Sequence, residues 1–201
     1  MYEQQKEFRD IIANRNSQTV EESANKMQCK KIKLNGTRSI NENVSIVLRL
    51  LEEMDMNRKL YIGFKGKNNA SCILAKSISA DSYLLTNSFD GLKRDIELLN
   101  DYYNYIIVFG IDKKLKDTVR IEKVAEKECR VFSVLDLKII SVRLNSVGIL
   151  NNISDTPTHY LCNEAYWYLL QKFKGKAVLI HVPSIKNLNE VFIEKLKLAL
   201  G

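Results

Sequence analysis

The sequence predicts an α/β fold, and three observations carry that prediction. Runs of strand length at residues 60–64, 105–109 and 177–183 are almost wholly apolar. Between them lie stretches whose apolar residues recur at the 3.6-residue period, so strand and helix alternate along the chain. The length of 201 residues suits one globular domain, large enough to bury a continuous core without metals or disulfides.

Residues 1–10 are polar and charged, and no uncharged apolar run approaches membrane-spanning length. Neither a signal peptide nor a transmembrane segment is therefore expected, and a cytoplasmic location is the default. Phe8, Ile11 and Ile12 give one short apolar face, and residues 14–25 read as a polar loop. A helix is expected over about residues 41–54, where Val44, Val47, Leu48 and Leu51 share a face. Residues 1–58 are thus read as a partly helical N-terminal extension ahead of a domain at 59–201.

After the first strand, residues 71–78 read as a helix with Ile73, Leu74 and Ile78 inward, followed by a short strand at 83–85. Leu92, Ile96 and Leu99 keep the helical period over residues 89–102, which lead into the strand at 105–109. Residues 131–134 read as a strand. The next stretch, 135–147, reads as an amphipathic helix carrying Leu137, Ile140, Val142 and Leu144, with Gly148 as its stop. A helix at 163–173, the strand at 177–183 and a terminal helix at 187–200 complete the order. Tyr166, Trp167 and Tyr168 on the first of these helices suit a core or an interface better than a ligand platform.

The formal net charge is +7, which permits contact with acidic partners. The lysines are nevertheless mixed with acids, as in residues 113–117 and 194–197. No RNA-recognition or helix-turn-helix signature accompanies them, so a solvated surface is expected and no nucleic-acid partner. The four cysteines, Cys29, Cys72, Cys129 and Cys162, are far apart and form no C-x-x-C pair. Reduced thiols are expected, with no structural zinc and no redox motif.

Cys162 stands just before the helix at 163–173, and His181 lies near the end of an apolar strand. A thiol of pKa near 8.5 is mostly protonated at neutral pH, and a helix N-terminus with a nearby imidazole favours its thiolate. A histidine near the end of a buried strand is held by its neighbours and can be aimed. Taken alone, the pair also fits a small buried hydrophobe and a structural histidine, and residue types do not decide between the two readings.

The run Ile153-Ser154-Asp155-Thr156-Pro157-Thr158-His159-Tyr160-Leu161-Cys162-Asn163, with Tyr166 and then Ile180-His181-Val182-Pro183, resembles the active-site segment of the pyroglutamyl peptidases. These are also called pyrrolidone-carboxylate peptidases. The resemblance implies Cys162 as nucleophile and His181 as general base. Val119-Arg120-Ile121-Glu122-Lys123-Val124-Ala125, after a strand ending in Gly110, is similar to the segment that carries the family's third residue, which implies Glu122 as the group orienting the base. Leu60-Tyr61-Ile62-Gly63-Phe64 and Asn69-Ala70-Ser71 match the family's first strand and its N-x-S. Phe64 and Asn69 are thereby implied as substrate-binding residues, and Arg130, after Cys129, as a further one that would supply positive charge.

The resemblance covers about residues 59–201 and implies a three-layer α/β/α sandwich with a central, mostly parallel sheet. The implied function is a cysteine peptidase that removes N-terminal pyroglutamate from peptides and needs no metal or organic cofactor. The expected partner is the peptide substrate, with no membrane partner. The family contains subunit assemblies as well as monomers, which brings a homo-oligomer within what it implies. The chain also departs from the pattern. Its first loop is reduced to Lys65-Gly66-Lys67-Asn68, the loop after Gly110 reads Ile111-Asp112-Lys113-Lys114-Leu115, and Pro157-Thr158 replaces an alanine–glycine pair. These departures support an alternative, a divergent member with an altered or lost pocket acting as a binding or interaction protein.

Overall fold

The computed structural model describes residues 36–47 and 58–201. The chain separates into Met1–Leu51 and Glu52–Gly201. In the first unit residues 40–47 are helical, and a capping box sets their start. Ser39 N–H donates to Glu42 Oε2 at 2.8 Å, and Glu42 N–H donates to Ser39 Oγ at 3.3 Å. These residues fall mostly within the helix expected over 41–54. The rest of that helix, the face of Phe8, Ile11 and Ile12, the loop at 14–25 and Cys29 lie outside the described residues.

The second unit is built on strands β1 (Lys59–Phe64), β2 (Ser82–Leu85), β3 (Tyr105–Ile111), β4 (Thr118–Glu122), β7 (Leu150–Ser154) and β8 (Ala177–Val182). They form one sheet in the order β2-β1-β3-β8-β4-β7. The first four in that order are parallel, β4 runs antiparallel to β8, and β7 runs parallel to β4. A separate two-stranded ribbon pairs β5 (Val124–Glu126) with β6 (Arg130–Phe132). The helices are α1 (Ala70–Ile78), α2 (Phe89–Glu97), α3 (Leu137–Ser146), α4 (Leu161–Lys172) and α5 (Glu190–Leu200).

The layers follow from the two-residue period of the strands. Ile107 and Phe109 of β3 point to one face, where they meet residues of α1, α3 and α5. Ile106 and Val108 point to the other face and meet α2 and α4. A strand covered on both sides has to be apolar at successive positions, which is why these runs do not alternate. Each fully buried Ile or Leu here contributes about 1.5–3 kcal/mol relative to exposure. The protein is therefore a three-layer α/β/α sandwich with a central, mostly parallel sheet.

Several boundaries differ from expectation, as the terminal helix starts at Glu190 rather than 187 and β6 spans Arg130–Phe132 rather than 131–134, and two others differ for local reasons. Helix α2 stops at Glu97 rather than running to Tyr102, because Asn100 Oδ1 accepts the N–H of Tyr102 at 3.1 Å and turns the chain. Helix α4 starts two residues early, so Cys162 lies inside its first turn. Gly175, with φ of +80°, then closes α4 into β8, and its N–H donates to Leu170 O at 2.7 Å.

Candidate active site

Three segments distant in sequence meet at the C-terminal ends of the parallel strands, where ligands of open α/β sheets are commonly received. His181 is the fifth residue of β8, and the strand period turns its ring to the α4 face of the sheet. On one side its register partner is Gly110 of β3; on the other it is Arg120 of β4. The absence of a side chain at Gly110 makes the arrangement possible, since a Cβ there would lie 2.9 Å from His181 Cδ2 and 3.1 Å from Cys162 Cβ. Glu122 lies two residues beyond Arg120 on the same face of β4, and Tyr166 of α4 fixes the strand end by donating its hydroxyl to Glu122 O at 2.9 Å.

The structure brings Cys162, His181 and Glu122 into one hydrogen-bonded row. Cys162 Sγ lies 3.2 Å from His181 Nε2, and His181 Nδ1 lies 2.7 Å from Glu122 Oε1. All three residues are buried, the histidine and glutamate almost completely. Arg120 Nε donates to the same Oε1 at 2.7 Å, Arg120 Nη1 donates to Asp112 Oδ2 at 2.7 Å, and Nη2 lies 3.3 Å from His181 Nδ1. The proton positions follow from these contacts. An unprotonated Nδ1 would set its lone pair against a carboxylate at 2.7 Å, so Nδ1 carries the hydrogen and donates it to Glu122. Nε2 is left to exchange a proton with the sulfur.

Burial acts on each ionisable group and is overridden. It would lower the pKa of His181, but the hydrogen bonds and charges of Cys162 and Glu122 raise it to about 9. It would raise the pKa of Glu122, but the hydrogen bonds and positive charges of His181 and Arg120 hold it below the usual carboxylate range. Asp112 is likewise pushed up by burial and held down by the N–H of Lys114 and by Arg120. Glu122 Oε2 is buried and has no hydrogen-bond partner, so the carboxylate spends both strong contacts on one oxygen.

Helix α4 differs at its start from the other four helices of the sandwich. Asn69, Ser88, Asp136 and Asn189 cap those helices with side-chain oxygens, whereas Tyr160 offers none to α4. No side chain therefore caps the first N–H groups of α4, and the positive end of its dipole lies at the turn that carries Cys162.

A cleft of about 520 Å³ opens on this row. Phe64 and Asn69 both line it: Phe64 is the buried end of β1, and Asn69 Oδ1 caps α1 by accepting the N–H of Ser71. Arg130 is not brought there. It stands exposed on β6 and pairs with Glu126 at 3.0 Å. The arginine at the site is Arg120, which the sequence reading passed over, as it passed over Asp112. A signal existed in the strand Thr118–Glu122, where Arg120 and Glu122 stand two apart and must share a face. Among the described residues no cluster of His, Cys, Asp and Glu is arranged to hold a metal ion, and no helix is long and apolar enough to cross a membrane.

No protein-family model and no curated protein matches the chain by sequence. Solved structures do match it. The pyrrolidone carboxyl peptidase from Thermus thermophilus is similar at TM-score 0.60 and 17% identity, over 71% of this chain and 98% of that one. The enzyme from Thermococcus litoralis is similar at TM-score 0.56 and 20% identity, over 71% and 90%. A mutant enzyme from Pyrococcus furiosus is similar at TM-score 0.57 and 20% identity, over 71% and 95%. The Glu52–Gly201 unit thus has the fold of the pyrrolidone carboxyl peptidases.

Proposed function

We propose that the protein is a cysteine peptidase that hydrolyses the amide after an N-terminal pyroglutamyl residue. The observation that carries this reading is the row from Sγ through the imidazole to a buried carboxylate, with spacings of 3.2 and 2.7 Å. In the first half-reaction the proton shared by Cys162 and His181 rests on Nε2, and Sγ attacks the pyroglutamyl carbonyl carbon. Negative charge gathers on the carbonyl oxygen, which the uncapped N–H groups of Leu161 and Cys162 can receive. Collapse of the tetrahedral species breaks the C–N bond while Nε2–H protonates the departing amine, leaving a thioester. Water then gives a proton to Nε2 and attacks the thioester carbon. Breakage of the C–S bond frees pyroglutamic acid and restores the thiol. Glu122 keeps the Nδ1 hydrogen in place throughout and steadies the imidazolium. Phe64 offers a flat apolar wall to the lactam, and Asn69 lies beside it. A cytoplasmic location and a domain beginning near residue 59 belong to the same reading.

The test is release of a fluorescent amine from a pyroglutamyl conjugate under reducing conditions. The wild type should turn over, and Cys162→Ala should lose at least about a thousandfold of the rate. An unchanged rate in Cys162→Ala overturns the reading. One observation favours a second reading, a divergent binding protein: the Asp112–Arg120 ion pair and two lysines line the same cleft as Phe64 and Asn69. Folded wild-type protein with no turnover, and with a Cys162 no more reactive toward alkylation than a free thiol, would decide for it.

A further inference from the structure

The charges that line the cleft do not balance. Asp112 is consumed on both oxygens, Oδ1 by the N–H of Lys114 at 2.9 Å and Oδ2 by Arg120 at 2.7 Å. Arg120 is consumed in turn by Asp112 and Glu122, and the charge of Glu122 faces His181. Lys113 and Lys114 remain. Both line the cleft, both are exposed, and neither ammonium has an ion-pair partner among the described residues. Some cations of the sandwich have one, as Lys65 has Asp95, Lys127 has Glu164 and Lys172 has Asp101; what sets Lys113 and Lys114 apart is that they line the cleft. The rest of the wall, including Phe64, Asn69, Asn87, Tyr160 and Leu161, carries no charge. The wall of the cleft that Cys162 also lines therefore holds two positive charges without an ion-pair partner among the described residues.

We propose that Lys113 and Lys114 form an anion-selecting rim, and that the substrates best suited to this cleft are peptides with a carboxylate side chain on the leaving-group side of the scissile amide. This rests on the peptidase reading. The side of the bond follows from exposure. The lactam has to sit against buried Phe64, whereas lysines in water can only meet the part of the substrate that stays in water. The lysines are carried by the turn after β3, which Asp112 closes by accepting the Lys114 N–H. The rim is thus fixed to the same strand that places Gly110 against His181.

The test compares alkylation of Cys162 by iodoacetate, an anion, with alkylation by iodoacetamide, its neutral counterpart. Labelled Cys162 is identified by mass spectrometry. The chain carries a net charge of +7, so a control variant has to separate the rim from the whole-molecule field. Lys138→Ala with Lys195→Ala removes two charges from α3 and α5, across the sheet from Cys162. The expected result is that the iodoacetate-to-iodoacetamide rate ratio falls about three- to tenfold in Lys113→Ala with Lys114→Ala, and far less in the control. The wild-type ratio should also fall with added salt. In the substrate arm, the wild type should prefer a pyroglutamyl-glutamate conjugate over the pyroglutamyl-glutamine one by a similar factor, and the rim variant should lose that preference. Equal ratios in wild type and rim variant, or an equal fall in the control, overturn the rim and leave the peptidase reading intact. A Cys162 that neither reagent labels overturns both.

Discussion

Arg120 stands between two carboxylates and is the register partner of His181 on the neighbouring strand. On the proposed peptidase reading it is a positioning residue. Its cation helps hold Glu122 ionised, and its Nε fixes the oxygen that takes the imidazole hydrogen. Arg120→Gln removes the charge, so the pKa of Glu122 should rise and the acid limb of the Cys162 alkylation profile should move to higher pH. The maximal rate should drop about tenfold, or ~1.4 kcal/mol. Arg120→Lys keeps a charge without the planar fork, and should return the acid limb while leaving the maximal rate low. If both variants keep the wild-type profile, Arg120 only packs. This residue was hard to read from the chain because it is one of 31 Lys and Arg, and a strand contact across 61 positions leaves no local trace. Cys162 and His181 stand at a helix start and an apolar strand end, settings that alone decide nothing, and it is the resemblance of their flanks to the pyroglutamyl peptidase segment that singles them out.

Helix α4 gives up a stabilising cap where the other helices of the sandwich keep one. Tyr160 is 72% exposed, so replacing it costs little packing. In Tyr160→Asp a carboxylate would accept from the second or third N–H of the helix, the second being that of Cys162. The expected outcome is a gain of up to about 1 kcal/mol in urea unfolding, together with a clear loss of turnover. Stability and turnover rising together would refute the role given to these N–H groups. Among the strands, β1, β3 and β8 announced themselves by contiguous apolar residues, but β7 did not. Its sequence is Leu-Asn-Asn-Ile-Ser, it lies at the edge of the sheet, and Leu150 is 68% exposed. An edge strand needs only one neighbour and one covered face, and nothing in its composition distinguishes it from a loop. The ribbon of β5 and β6 removed Arg130 from the site for a similar reason. The strand expected at 131–134 is present as Arg130–Phe132, but three residues carry no periodicity, so the side on which Arg130 falls cannot be read.

For the whole molecule, the buried row makes stability depend on pH at both ends. His181 has a folded pKa of about 9 against 6.5 for the free group, so its contribution is full below about 6.5 and is lost as pH rises through about 9. Glu122 and Asp112 are held below 4.5 and 3.8, so their contributions are full above those values and are lost as pH falls through the lowered ones. Thermal melting should therefore be most resistant between about pH 4.5 and 6.5, and His181→Gln should flatten the alkaline decline. A decline of unchanged slope in that variant would assign the effect to other groups. The sheet order carries a different consequence. Strand β8, the last in sequence, is the one that joins β2-β1-β3 to β4-β7. During synthesis Glu122 and Cys162 both emerge ahead of His181. Until residues 177–182 leave the ribosome, the two halves of the sheet have no shared strand. On the proposed peptidase reading the nascent chain is thus chemically idle, and the strand that completes the architecture is also the one that turns the reaction on.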